Sequence, residues 1–434
     1  MLTVAAPTQI DRAVAQLDAW LDTMRGPGGY GGPVAHWWQQ CLLYTGLGFD
    51  WRYEGIIAGY LTLWERTSDD HWLAKAQRAG DDLCANELDD GHYPASAFEL
   101  NPATAGTPHE AACDVALLLL AAALWSAGSS DWQRYAQRAE RNLHMFYLQQ
   151  LWDVDSCSFR DSPTVASFVP NKAATICEAL FLLADVTRNA VWVEQYALPT
   201  LQRILQHQVR GGRLDGAIAQ NSFGTHVVTT YFPIYIARCI PALLRGYGWT
   251  NEERYLDAAQ RALRFVSRWQ LDDGSLPTAI YANGRCNRYP SWIAPLGDVL
   301  RACDLLRPFG ATPCFDATRA WLQTGQDVTG GIQTARGFEA QVGGRPGQLP
   351  DVRDVLHVVG WCDKAFRYLA AHVSDEIQLG ISHTFERDCT FRGRRMQLRE
   401  TPELLEICEA GQVCYRWLKG TPLPAVAAPV FWLK

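Results

Sequence analysis

No stretch of this chain approaches eighteen uninterrupted apolar residues, which excludes a hydrophobic transmembrane helix. Its opening, MLTVAAPTQIDRAVAQL, lacks a basic segment followed by an apolar run, so no secretory signal is expected. Positive charge is also short: 39 Lys and Arg stand against 46 Asp and Glu, and a net charge of -7 leaves no basic footprint for nucleic acid. There is no CxxC, no HExxH and no close Cys/His cluster, which argues against a zinc site built from neighbouring ligands. The 13 cysteines are odd in number and scattered, and Cys113, Cys177, Cys239 and Cys303 lie inside apolar patterns. They read as buried thiols of a reducing compartment. The chain is therefore expected to be cytoplasmic, with no metal or cofactor and with neither nucleic acid nor membrane as a partner.

What is present is a rhythm. A unit of roughly sixty residues recurs, each an apolar helix, a short break, a second helix and a long loop rich in Trp, Gly and polar residues. The apolar periodicity predicts first helices near 51–65, 109–126, 171–187, 226–246, 291–307 and 350–370. Runs such as VALLLLAAALW and ATICEALFLLADV are apolar on nearly every side, as buried inner helices must be. Their partners, such as NEERYLDAAQRALRFVSRWQ, carry charge on one side only and read as an outer layer. If the helix near 8–24 partners the last inner helix, six inner and six outer helices close into an (α/α)6 toroid over 1–371. An open superhelix is the competing arrangement, but its repeats are shorter and lack such long loops. After 371 the pattern shifts to short strands, EIQLGISHTF, CTFRGRRMQLRE and GQVCYRWLKG, so 372–434 is expected to be a small β-rich segment docked on the ring.

The connections are unequal. Inner-to-outer links such as TSDD and GWTN are short, whereas outer-to-inner links such as DDGHYPASAFELNPATAGTP and DDGSLPTAIYANGRCNRYP are long. Parallel inner helices place every long loop, and all six inner-helix N-termini, on one face, where function concentrates. The converging N–H groups favour an anion, and Arg52, Lys172, Arg213, Arg288 and Arg353 stand at the same level. Seventeen Trp is a high content, and His36, Trp37, Trp38, Trp51 and Trp292 lie near loop ends, where indole faces stack on sugar C–H faces. The plainer role for such aromatics is packing between helix layers, which is the preferred reading for Trp64, Trp72, Trp125 and Trp321.

Polar clusters open the inner helices. Glu54 stands near the first start, Glu99, His109, Glu110 and Asp114 near the second, Asn171 at the third, His226 and Tyr231 at the fourth and Asp351 at the sixth. Carboxylates from several repeats meeting at one mouth are what acid/base chemistry on a glycosidic bond requires. Glu110 and Asp351 also fit ordinary N-terminal capping. Glu54 and Asp114 lie a turn into apolar helices, where an unpaired carboxylate is costly. Glu178 and Asp298 are deeper and suit pairing with Arg238 or Arg301, and His226 suits a packed polar role.

This layout, with the hairpin-ending phrases NELDDGHYP, WQLDDGSLP and TGQDVTGGI, resembles the six-hairpin glycosidase superfamily over about residues 7–371. That superfamily includes unsaturated uronyl hydrolases, N-acylglucosamine 2-epimerases and polysaccharide lyases. The phrases are also similar to repeats of terpenoid cyclase toroids, but the DxDD acid motif is absent, as is the zinc pattern of lanthionine cyclases. The resemblance implies a toroid acting on a small-molecule or oligosaccharide substrate, and no family's catalytic residue matches a position here. The expectation is metal-independent hydrolysis of an anionic or uronic-type saccharide. Glu54, Glu110 and Asp114 would be acid and base, with help from His109 and Tyr231. His36, Trp37, Trp38, Trp51, Arg52, Glu99, Asn171, Lys172, His226, Arg288, Trp292, Asp351 and Arg353 would contact substrate. An epimerase or lyase using the same cleft, a terpenoid-cyclase-like isomerase and a non-catalytic scaffold are the alternatives.

Overall fold

The computed structural model describes residues 8–26, 28–36, 41–94, 110–310, 312–326, 329–337, 359–375, 377, 385–391, 394–401 and 404–418. Six inner helices run as α2 (Trp51–Thr67), α4 (Ala111–Ser126), α6 (Pro170–Thr187), α8 (Pro233–Thr250), α10 (Leu296–Leu306) and α12 (Val359–Ala370). Each packs on the next, and α12 returns to α2, so the ring closes. The outer partners are α1 (Gln9–Thr23), α3 (Asp70–Asn86), α5 (Trp132–Asn142), α7 (Leu198–Gln206), α9 (Glu253–Arg268) and α11 (Asp316–Gln323), with π-helical turns extending α5 through Leu151 and preceding α7 from Trp192. Closure is sealed by hydrogen bonds far apart in sequence: Ser374 N–H donates to Asp11 Oδ1 at 2.7 Å, and the Gln326 amide donates to the Ala13 carbonyl at 2.7 Å.

Three of the short links share one chemistry. Thr67, Thr187 and Thr250 each donate a hydroxyl hydrogen bond to the carbonyl four residues back, and the next residue, Ser68, Arg188 or Asn251, is left-handed and stops the helix. The long loops have a second recurring device. Gly274, in WQLDDGSLP, has φ +85° and its missing side chain leaves room for the Ala317 carbonyl of α11, while Gly330, with φ +87°, sits likewise against Gln16 of α1. The glycine of each phrase therefore lets its loop lie directly on the following outer helix. A Gly274→Ala substitution meets both a left-handed backbone and a backbone clash, so it should lower unfolding free energy by at least about 2 kcal/mol in urea denaturation.

Short strands tie the third long loop to the fourth, the fourth to the fifth and the fifth to the sixth. The first loop carries β1 (Arg25–Gly26), β2 (Gly29–His36) and β3 (Cys41–Leu47), paired in that order. In the third and fourth loops, β4 (Trp152–Asp153) pairs with β5 (Ser158–Phe159), and β6 (Ser167–Phe168) pairs with β7 (Asn221–Phe223), itself paired to β8 (His226–Val228). Next, β9 (Thr230–Tyr231) joins β10 (Ala279–Tyr281) and β11 (Cys286–Asn287), and β12 (Ser291–Trp292) joins β13 (Ala335–Arg336) of the sixth loop. After the ring, β14 (Phe385–Phe391), β15 (Arg394–Glu400), β16 (Leu404–Glu409) and β17 (Gln412–Leu418) form an antiparallel meander.

Two helix starts differ from expectation. The fourth inner helix begins at Pro233, not near 226, because the β-branched run VVTT favours extended backbone and Pro233 supplies a first-turn residue with no N–H to waste. His226 and Tyr231 therefore lie in strands. The fifth begins at Leu296, after the strand containing Trp292. Within the sixth, 351–358 lie outside the described residues. None of the ten cysteines with described side chains is in a disulfide. No described helix is long and apolar enough to cross a membrane.

Candidate active site in the ring

Five of the six inner helices send charge to the axis. Arg367 of α12 donates to Glu54 Oε1 at 2.6 Å and to Asp298 Oδ1 of α10 at 2.5 Å. Arg238 of α8 lies 2.9 Å from Glu54 Oε1 and 2.5 Å from Glu178 Oε2 of α6. Lys364 stands 4.0 Å from Asp298 Oδ2 and 3.8 Å from Asp363 Oδ2. The group is a charged plug inside an otherwise apolar barrel.

Its electrostatics divide the carboxyls. Burial would raise Glu54, but Arg238, Arg367 and Lys364 more than offset it and hold the group below its ordinary pKa. Asp298 meets the same contest, and Lys364, Arg367 and Arg238 draw it down to about 2. At Asp363 burial wins, and its pKa stands well above the carboxylate range. On the long-loop side, half-buried Trp51 opens α2. The Arg238 guanidinium lies 5.2 Å and the Lys364 ammonium 5.1 Å from its ring, and Lys364 is 5.9 Å from half-buried Trp361. An indole flanked by two cations can stack a sugar ring and pair a carboxylate.

Glu110 and Asp114 occupy a different place, between α4 and the outer helices. Glu110 begins α4 without capping it through its side chain. Its Oε2 accepts from the Asn142 amide at 2.7 Å and lies 3.5 Å from His92 Nδ1, while Tyr147 Oη accepts from Ala111 N–H at 2.6 Å. Burial opposes the His92 cation, but Glu110 outweighs it and raises the imidazole pKa. Asp114 is fully buried, and neither carboxyl oxygen has a hydrogen-bond partner among the described residues. Burial, then Glu110 and Glu87, lift its pKa well above the ordinary carboxylate value, which favours its protonated form. Glu54 shares no partner with Glu110 or Asp114 among the described residues.

The other expected residues are dispersed. Arg52 is buried and bonded to Asp50 Oδ2 at 2.9 Å, and Lys172 donates to Asp161 at 2.8 Å. Asn171 is buried in the first turn of α6. Tyr231 is buried, its hydroxyl pKa raised by burial, with β9 paired to β10. His226 and Arg288 are exposed. Trp292 is buried, stacked on Trp361 at 5.2 Å between centroids, and its carbonyl accepts from Trp321 at 2.9 Å. Trp72 is buried against Tyr60, and Trp64 is half-buried. His36 lies in β2 with its side chain outside the described residues, as are Trp37, Trp38, Glu99, His109, Asp351 and Arg353 entirely. Sequence reasoning missed His92, Asp363, Lys364 and Arg367. The last three had a signal: WCDKAFR sets three charges on a helix that is otherwise apolar. Among the described residues, no group of three His, Cys, Asp or Glu is placed to hold a metal.

No protein-family model matches the chain, and no curated protein is similar enough in sequence to match. Solved structures do match. Cellobiose 2-epimerase from Bacillus thermoamylovorans B4167 superposes with a TM-score of 0.62 at 11% identity, covering 84% of this chain and 98% of that one. An unsaturated glucuronyl hydrolase specific for heparin gives 0.56 at 12% identity, covering 84% and 95%. An inactive variant of the α-1,6-mannanase of Salegentibacter sp. HEL1_6, in complex with α-1,6-mannotetrose, gives 0.55 at 11%, covering 84% and 98%.

Proposed function

We infer that this (α/α)6 toroid, whose likeness to the solved structures is one of fold at these identities, belongs with the carbohydrate-active enzymes of that architecture. We propose that it is a carbohydrate-active enzyme that hydrolyses a glycosidic bond in an anionic, uronic-type saccharide without a metal, at the long-loop mouth. One observation carries this reading: Trp51 stands at the start of an inner helix with the Lys364 and Arg238 cations about its ring. The indole takes the C–H face of a pyranose and Lys364 its carboxylate. The saccharide-processing neighbours of the same fold support the class of substrate.

Within this reading Glu110 is the acid/base group. It sits at a helix start beside His92, which relays a proton to or from it, and Asp114 below, its protonated form favoured, spares Glu110 a second negative neighbour. Glu54, held ionised, stabilises positive charge that develops on the sugar. A second reading, epimerisation or elimination, is favoured by the same His92–Glu110 pair, since an imidazole made more basic by a carboxylate suits removal of a proton from carbon.

The test is turnover on a panel of uronate oligosaccharides, with products followed by NMR and by ultraviolet absorbance. Hydrolysis gives a new reducing end and no unsaturated product. Glu110→Gln should lower kcat at least tenfold, within the ~10²–10⁴ range of general acid/base catalysis. Unchanged turnover in Glu54→Gln, Glu110→Gln and Asp114→Asn alike would remove the reading, and an unsaturated product or an epimer would replace it with the second.

A further inference from the structure

The opposite face of the ring holds a cavity of about 720 Å³. Its walls come from the C-terminal halves of α2, α4, α10 and α12, among them Leu61, Leu119, Ala122 and Leu305, and Arg301 and Arg367 reach it from the axis. It lies across the charged plug from the mouth and belongs to no part of the chemistry above.

Among the described residues, Arg301 is the least paired of the three axial arginines. Arg367 and Arg238 each bridge two carboxylates, whereas the ion pair of Arg301 is Glu178 Oε1 at 3.8 Å, a carboxylate already engaged by Arg238. The plug sets Arg238, Arg301, Lys364 and Arg367 against Glu54, Glu178, Asp298 and Asp363, and burial lifts the pKa of Asp363 well above the ordinary carboxylate value, so this carboxyl balances the cations least. Burial and the neighbouring Arg367 depress Arg301 to about 10, the mark of a cation short of a counter-charge. The side chain retains 27% exposure, and the cavity supplies it.

We propose that this short-loop cavity binds a small amphipathic carboxylate, its head on Arg301 and its hydrocarbon body against Leu61, Leu119, Ala122 and Leu305. Glu65 and Asp304 among the lining residues, together with helix C-termini, oppose a bare inorganic anion, so apolar contact must contribute to binding. A partly exposed guanidinium can give a carboxylate two parallel hydrogen bonds, and the alkyl body gains by leaving water.

The test is calorimetric titration of the full chain with octanoate, with octanol as the uncharged comparator. Octanoate should bind saturably at one site and octanol at least about tenfold more weakly. Arg301→Leu removes the least paired cation and should weaken octanoate about tenfold or more while leaving the unfolding midpoint unchanged or higher. Ala122→Phe fills the cavity from a half-buried wall position, leaves the charges in place and should weaken both ligands. Absence of saturable octanoate binding, equal affinity for octanol, or affinity unchanged in Ala122→Phe would each overturn the proposal. Ala122→Phe decides the matter if Arg301→Leu does not fold. Turnover at the mouth is not a readout, so this result stands apart from the test of hydrolysis.

Discussion

Replacing Glu54 with leucine should lower the free energy of unfolding by about 3–5 kcal/mol, the usual cost of removing one member of a buried ion pair. The size follows from what is left behind. Glu54 is 1% exposed, and one of its oxygens meets both Arg367, at 2.6 Å, and Arg238, at 2.9 Å. Without it, each arginine keeps one carboxylate, Asp298 and Glu178 respectively, and the barrel interior carries an added positive charge. The double variant Glu54→Leu/Arg367→Met should recover part of the loss, because the cation is removed with its partner. Urea denaturation of the single and double variants checks this. Additive losses would show that the plug is not a coupled unit.

The second large effect runs the other way. Asp114→Leu should stabilise the protein at neutral pH by about 1–3 kcal/mol, since a fully buried carboxyl with neither oxygen hydrogen-bonded among the described residues is replaced by a side chain of similar size. The gain is pH-dependent in a fixed direction. Asp114 has a folded pKa far above its unfolded one, so whatever favours its protonated form is fully present below about pH 4 and is lost as pH rises toward the folded value. The advantage of the variant therefore grows from pH 4 to pH 8. Asp298 behaves oppositely: drawn down to about 2, it contributes stability above about pH 4 that disappears as pH falls toward 2. Unfolding midpoints of wild type and Asp114→Leu across pH 2–8 separate the two. A pH-independent difference between them would contradict the assignment.

The ring was legible because its signals are local and repeated. Runs such as VALLLLAAALW admit only a buried helix, the Thr-then-left-handed stop recurs at three inner helices, and the glycines of two hairpin-ending phrases, Gly274 and Gly330, have a backbone reason. The fourth inner helix was misplaced at its start because HVVTTYFP is apolar enough to continue a helical pattern, while Val227 and Val228 pair with Ser222 and Asn221 and the following Thr230 and Tyr231 pair with Tyr281 and Ile280 of the neighbouring loop. That pairing is fixed by closure of the ring, and no window of the sequence contains it.

The site was legible in part. Glu54 and Asp114 stood out as carboxyls in apolar helices, and Glu178 was rightly matched to Arg238, whereas Asp298 pairs with Arg367 rather than with Arg238 or Arg301. Their division into two clusters was not visible, because whether a residue one turn into an inner helix faces the axis or the outer layer depends on a rotation that an all-round apolar helix does not encode. The α4 sequence shows this: its apolar residues surround Asp114 on every side. Lys364 and Arg367 were overlooked because Lys and Arg inside a helix ordinarily read as a solvated face.

The most direct measurement compares KM for a uronate oligosaccharide and for its carboxyl-reduced, neutral counterpart in wild type and Lys364→Met. An anionic-saccharide mouth floored by Trp51 and Lys364 requires wild type to turn over the uronate, and it requires Lys364→Met to raise KM about tenfold or more for the uronate while changing the neutral substrate little. Equal effects on the two substrates, or no turnover of any uronate by wild type, would contradict it.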